Sequence, residues 1–150
     1  MYSTRAGFSF IEALIILSVM TFIEAAIIIA VDPWSRFQET RNLQRIANVN
    51  FITDAIFMNM IDNNGTFRCD AGDLPSSPRT MASAEGYDIA PCIVPRYATT
   101  FPYDPGAKES YYNSKRDYNS GYQVMQNPRT GKVIVTAPAA ELGQNVTVER

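Results

Sequence analysis

The sequence predicts an α+β protein: a membrane-length apolar helix, an amphipathic helix that continues from it, and a small antiparallel sheet at the C-terminal end. Three observations carry this reading. Phe8 to Val31 is a run of 24 residues without Lys, Arg, Asn, Gln or Pro. Val49, Ile52, Ile56 and Met60 then recur at spacings of three and four, the period of one helix face. Finally, the β-rich runs Tyr122–Gln126 and Lys132–Thr136 flank Asn127-Pro128-Arg129-Thr130-Gly131, a turn-rich insert with the pattern of a hairpin. Helix first and antiparallel sheet afterwards is the α+β order.

The apolar run, taken as a helix, reaches about 36 Å, enough to cross a hydrocarbon core of about 30 Å. A cleaved secretory signal has an apolar region of about 7–15 residues behind a basic stretch. Here the run is longer, and Arg5 is the only charged side chain before it. Ile29-Ala30-Val31-Asp32-Pro33 offers no small-residue cleavage site, and a signal peptide would not carry Glu12 and Glu24. A carboxylate near the middle of a membrane helix costs on the order of 2.5–3.5 kcal/mol, less near the interface or when protonated. Glu12 follows Phe8 by about 6 Å along a helix. A free amine on Phe8, in the same chain or a neighbour, is a natural counter-charge, and it exists only if Met1–Gly7 is removed. Glu24 lies about 120° round the helix from Glu12, so the two acids face differently; snorkelling, protonation and pairing with a neighbouring subunit are the alternatives for Glu24, the first two favoured.

Asp32-Pro33-Trp34 predicts a kink or a helix restart, since Pro suits the first turn of a helix and Asp its N-cap. Trp34 suits the depth of a membrane interface and equally a packing role on the domain that follows. The second helix is expected over 34–61. Phe51, Ala55 and Met58 widen its apolar stripe, and Arg36, Glu39, Arg41 and Arg45 form its polar face. Asp62-Asn63-Asn64-Gly65 ends it, with Gly65 as a left-handed cap. Residues 66–100 show little periodicity and read as a long loop. Cys69 and Cys92 lie in it as the only cysteines, which suits one disulfide in a region outside the cytoplasm. Closing a loop of about 24 residues contributes roughly 3 kcal/mol by chain entropy.

Phe101-Pro102-Tyr103-Asp104-Pro105-Gly106 is turn chemistry. Tyr111-Tyr112 suits a short strand or its approach, and Asn145–Val148 a further strand. The tyrosines from Tyr97 to Tyr122 are read as packing rather than as a sticky surface.

The head of the chain carries a more specific pattern. Gly7, Phe8 and Glu12, with Ser9, Phe10 and Ile11 between, precede the apolar run directly. This resembles the type IV pilin and pseudopilin family: a short leader ending in Gly, then Phe, an acid at the fifth mature position, and an apolar helix. The helix through Asn64-Gly65-Thr66-Phe67 and the Pro102-Tyr103-Asp104-Pro105 segment are also similar to pilin features. The resemblance implies a leader over 1–7, a transmembrane and assembly helix over 8–31, and a pilin-like globular domain over 32–150 outside the cytoplasm. It implies cleavage after Gly7 and N-methylation at Phe8 by a prepilin peptidase and methyltransferase. It implies membrane lipid around the helix before assembly, an inner-membrane assembly platform, and packing among identical or related pilin subunits through a Phe8 amine–Glu12 contact. The location implied is a single pass of a bacterial inner membrane, then a surface or periplasmic filament.

The chain departs from the family pattern in a lean leader with one basic side chain, in a first proline at Pro33, and in Glu24. The positive-inside rule does not favour a cytoplasmic leader, because Arg36, Arg41 and Arg45 follow the run; the resemblance does. A pseudopilin of a type II secretion system fits the same residues. A membrane-anchored binding module that keeps Met1 is the alternative of another class.

Composition excludes other chemistry. Net charge is −2 with pI about 5.1 and no basic run, so nucleic acid is not an expected partner. There is no histidine, which removes His-based triads and His–metal sites. No phosphate loop, HExxH, GxSxG or EF-hand pattern occurs, so no catalytic residue and no cofactor is assigned. Two cysteines without His do not suggest zinc. Asp104 and Asp117 are the candidates nearest to a calcium site, but calcium needs six to eight oxygens and their spacing shows no such set; no metal is assigned.

Overall fold

The computed structural model describes residues 7–150; residues 1–6, which hold most of the expected leader and Arg5, lie outside the described residues. The chain divides into two compact units, one ending at Phe37 and the other spanning Gln38–Arg150.

In the first unit, α1 (Phe10–Val31) is the long apolar helix expected from the sequence. Ser9 is its N-cap in extended conformation, and the Ser9 carbonyl accepts the Ala13 N–H at 3.1 Å. Two hydroxyls within the apolar run are satisfied by the helix itself. Ser18 donates to the Ile15 carbonyl at 2.8 Å and Thr21 to the Ser18 carbonyl at 2.9 Å, so neither is left unpaired in an apolar setting. The expected break is a restart. Asp32 caps α1 in the left-handed region at φ 42°, and Pro33 opens α2 (Pro33–Asp62). Pro33 has no N–H with which to continue α1. The Ser35 hydroxyl donates to the Asp32 carboxylate.

In the second unit, α2 buries Val49, Ile52, Ala55 and Ile56, as the stripe predicts. Phe51 and Met58 do not widen that stripe: they are exposed on the opposite face. Arg45 is not on a polar face but is buried. The inner face also takes Asn42, Thr53 and Asn59, each with partners. Thr53 donates to the Val49 carbonyl at 2.8 Å, and Asn59 clamps the backbone of Arg68 through its amide (3.0 Å) and its carbonyl (2.9 Å). The helix ends as expected at Asn64-Gly65. The Gly65 N–H returns to the Met60 carbonyl at 2.8 Å, with Asn64 at φ 57° and Gly65 at φ 87°.

The segment 66–100 is more than a loop. It contains β1 (Arg79–Ala82) and the short helix α3 (Ala90–Ile93). It also supplies Leu74, Met81, Tyr87, Ile89 and Ala98 to the core. Periodicity could not show this, because four-residue elements are too short to display a period. The strand exists through its partner β3 (Asp117–Gln126), with Thr80 opposite Gln123 and Ala82 opposite Asn119. The tight return after β1 requires Gly86, where a Cβ would lie 2.5 Å from the Thr80 carbonyl oxygen.

The remaining strands are β2 (Tyr111–Ser114), β4 (Val133–Ala137) and β5 (Val146–Glu149). The sheet is antiparallel in the order β1-β3-β4-β5, with β2 also on β3. The expected hairpin is present, with Gln126 opposite Val133, and β3 extends back to Asp117. Alternate residues of β3 (Tyr118, Ser120, Tyr122, Val124) are buried. Tyr118, Tyr122 and Val124 share one core with Val133 and Val135 of β4 and Val49, Ile52 and Ile56 of α2. The tyrosines divide: Tyr118 and Tyr122 are core, whereas Tyr103 and Tyr111 are exposed.

Candidate functional site

The residues singled out at the head of the chain sit at the start of α1. Gly7, Phe8 and Ser9 precede the helix, and Glu12 lies in its first turn. The unpaired N–H groups and the helix dipole favour a carboxylate there. Ser9-Phe10-Ile11-Glu12 also has the sequence of a capping box, but Ser9 makes no side-chain cap bond. Among the described residues, Glu12 and Glu24 have no hydrogen bond or ion pair, and both are exposed. Phe8 is 74% exposed. A Cβ added at Gly7 would meet nothing within 4 Å, so the described residues give no steric reason for glycine there. Every side chain from Phe10 to Ala30 is exposed.

Cys69 and Cys92 form the expected disulfide, with their Cα atoms 5.3 Å apart. It borders an open cleft of about 580 Å³ with a largely polar lining that includes Asn63, Arg68, Asp70, Asp73 and Arg96.

The turn at Asp104 and the inner face of α2 meet in a charged cluster that sequence reasoning missed. Arg45 holds Asp104 with two prongs, Nε to Oδ2 at 2.8 Å and Nη2 to Oδ1 at 2.9 Å. Its third nitrogen, Nη1, donates to Asn42 Oδ1 and to Glu141 Oε2, each at 2.8 Å. Arg41 closes on Glu141 from the other side, Nε to Oε2 at 2.7 Å. Asp104 Oδ1 also accepts the N–H groups of Gly106 and Ala107 at 2.8 Å. Gly106 leaves room for the pair, since a Cβ there would stand 2.8 Å from Arg45 Nη2. Hydrogen bonds from Arg41 and then Arg45 hold the Glu141 carboxyl down to about 2. The hydrogen bond to Glu141 raises the Arg41 pKa; that of Arg45 is also raised, its two carboxylate partners outweighing burial.

This arrangement revises the calcium candidates. Asp104 spends its oxygens on Arg45 and the turn, while Asp117 accepts from Tyr111 and Asn113, each at 3.0 Å. The structure does not bring the two acids together in one cluster, and no group of three or more His, Cys, Asp or Glu among the described residues could hold a metal ion. A signal for the cluster was present. Asn42 and Arg45 extend the spacing of Val49, Ile52 and Ile56 backwards in phase, so they belong to the buried face.

Burial raises the pKa values of Tyr87 and Tyr122 to about 12. No protein-family model, no curated protein and no solved structure matches this chain.

Proposed function

We propose that this chain is a structural subunit of a pilin-like filament, processed after Gly7 and assembled through α1. The observation that carries the reading is the pairing of Gly7 and Glu12 at the head of an apolar helix, where the described residues give Gly7 no steric role and Glu12 no side-chain partner. The described residues require no glycine at 7 and give Glu12 no partner. Both are accounted for if a peptidase reads the small residue and the freed Phe8 amine meets Glu12 of an adjacent subunit. The exposed apolar surface of α1 supports the same reading. Such a surface needs lipid or other helices around it, and one helix of this length and hydropathy suffices for a single pass.

In this proposal the helix first resides in the membrane and then packs among copies of itself. An unpaired Glu12 in that apolar bundle is costly, and pairing with the Phe8 amine offsets both buried charges and sets the axial register. The partners are a prepilin peptidase and methyltransferase, other subunits, and an inner-membrane assembly platform.

Intact and N-terminal mass spectrometry of the protein from its native membrane tests the proposal. A chain beginning at Phe8 with about 14 Da on its amine, the mass of one added methylene, is expected. A mature chain that retains Met1 overturns the reading and favours a membrane-anchored binding module.

A further inference from the structure

Asn-x-Ser/Thr, with x other than proline, is the acceptor pattern for attaching a sugar chain to asparagine outside the cytoplasm. The chain contains it at Asn64-Gly65-Thr66 and at Asn145-Val146-Thr147. So short a pattern arises readily by chance, and the tertiary setting of each copy separates the two.

The second copy is closed. Val146 is buried and opens β5, opposite Ala137 of β4. The Thr147 hydroxyl donates to Asn145 Oδ1 at 2.8 Å and lies 3.3 Å from the Thr136 hydroxyl. An enzyme reading this copy would have to strip β5 from the sheet.

The first copy is open. α2 ends at Asp62, and the chain reverses in a turn with Asn64 at φ 57° and Gly65 at φ 87°. Asn64, Gly65 and Thr66 are all exposed, and a Cβ added at Gly65 would meet nothing within 4 Å. Among the described residues, neither the Asn64 amide nor the Thr66 hydroxyl makes a hydrogen bond. The adjacent Asn63 differs: its amide donates to the Asn59 carbonyl at 2.7 Å. The Gly65 and Thr66 N–H groups return to the Met60 and Asn63 carbonyls at 2.8 and 3.3 Å, at a helix end where local opening is cheap. Two residues before Asn64 stands Asp62, whose ion pair with Arg96 at 2.9 Å is a surface contact. Such a pair is readily exchanged, so the carboxylate is free to meet a basic side chain of an enzyme.

We propose that Asn64 is an N-glycosylation site. The donor class is a polyprenyl-diphosphate-linked oligosaccharide, used by a membrane transferase that reads the Thr66 hydroxyl. Asn64 Nδ2 bonds to the anomeric carbon of the first sugar, and the bond from that carbon to the diphosphate oxygen breaks. Polyprenyl diphosphate leaves, one Nδ2 proton passes to a base of the transferase, and nothing is oxidised or reduced. The step shares with the filament reading only a second unit outside the cytoplasm, which the Cys69–Cys92 disulfide supports by itself.

The test is peptide mapping by mass spectrometry of the full-length protein from its native membrane. Trypsin releases residues 46–68 as one peptide, since no Lys or Arg lies between Arg45 and Arg68. This peptide is expected to carry a sugar mass, placed on Asn64 by electron-transfer fragmentation. Thr66→Ala should abolish the added mass, and Thr66→Ser should keep it. Asn145→Gln should leave it unchanged. The exposed, unbonded Thr66 hydroxyl makes these variants neutral to folding. A bare 46–68 peptide in the native protein, or a sugar mass that survives Thr66→Ala, overturns the assignment. The intact mass of the same sample separates the two proposals. A chain that begins at Phe8 with bare Asn64 rejects the glycan and keeps the filament reading, whereas a glycosylated chain that retains Met1 does the reverse.

Discussion

Arg45 and Asp104, 59 residues apart in sequence, meet as a two-pronged ion pair with both side chains fully buried. The pair joins the middle of α2 to the turn that precedes β2. Burying two charges carries a desolvation cost that their attraction only partly offsets, so such a pair is poor evidence of added stability. Its effect is on specificity: a shifted helix register would leave both charges buried and unpaired. Glu141 and Asn42 extend the contact to the β4–β5 connection, because Asn42 donates to the Glu141 carbonyl at 2.8 Å and accepts its N–H at 3.0 Å.

Removing the cation alone is therefore expected to be severe. Arg45→Met should destabilise the second unit by about 3–5 kcal/mol, because Asp104 is left buried without its partner. Asp104→Asn keeps an acceptor for the Gly106 and Ala107 N–H groups and should cost less, about 1–3 kcal/mol. Urea unfolding of the full chain in detergent, followed by tyrosine near-ultraviolet circular dichroism, measures both. Equal losses in the two variants would count against this account.

The cluster also predicts an acid response. The folded Glu141 carboxyl titrates at about 2, below its ordinary value of 4.5. A depressed carboxyl contributes stability that is fully present above the unfolded pKa and is lost as pH falls through the folded one. Stability should therefore decline between about pH 4.5 and pH 2. Glu141→Gln should be less stable at neutral pH and should show a shallower decline across that window. Unfolding midpoints taken at several pH values decide this, and an unchanged slope in the variant speaks against it.

Cys69–Cys92 closes a loop with a sequence separation of 23 across a segment that supplies β1 and several core residues. The double variant Cys69→Ser/Cys92→Ser should lose about 3 kcal/mol, mainly through a freer unfolded chain. Because β1 lies between the two cysteines, amide exchange should accelerate first over residues 79–82. Uniform acceleration throughout the sheet would contradict that localisation.

At the head of the chain, Glu12→Ala should still insert in the membrane but should not polymerise. Membrane fractionation and electron microscopy separate the two steps, and normal filaments from this variant would sink the proposed Glu12 role. A bulky replacement such as Gly7→Leu should leave the precursor uncleaved although the described residues leave space for it. Its intact mass checks the outcome.

The sequence by itself determined the α+β order, the long apolar helix, a break at Pro33, the stapling cysteines and the β3–β4 hairpin. Each is written locally, in composition, period or turn chemistry within a short window. Gly7, Phe8 and Glu12 also fall within one short window, where residue type and spacing carry the role proposed for them. Tertiary structure decided the remainder. β1 is a strand because Thr80 meets Gln123, and Arg45 belongs inside because Asp104 and Glu141 arrive there from 59 and 96 residues away. The face of α2 that holds Phe51 and Met58 is likewise set by where the sheet packs, not by the hydrophobicity of those residues. Partners brought from such distances satisfy a buried charge or a strand edge, and no local window contains them.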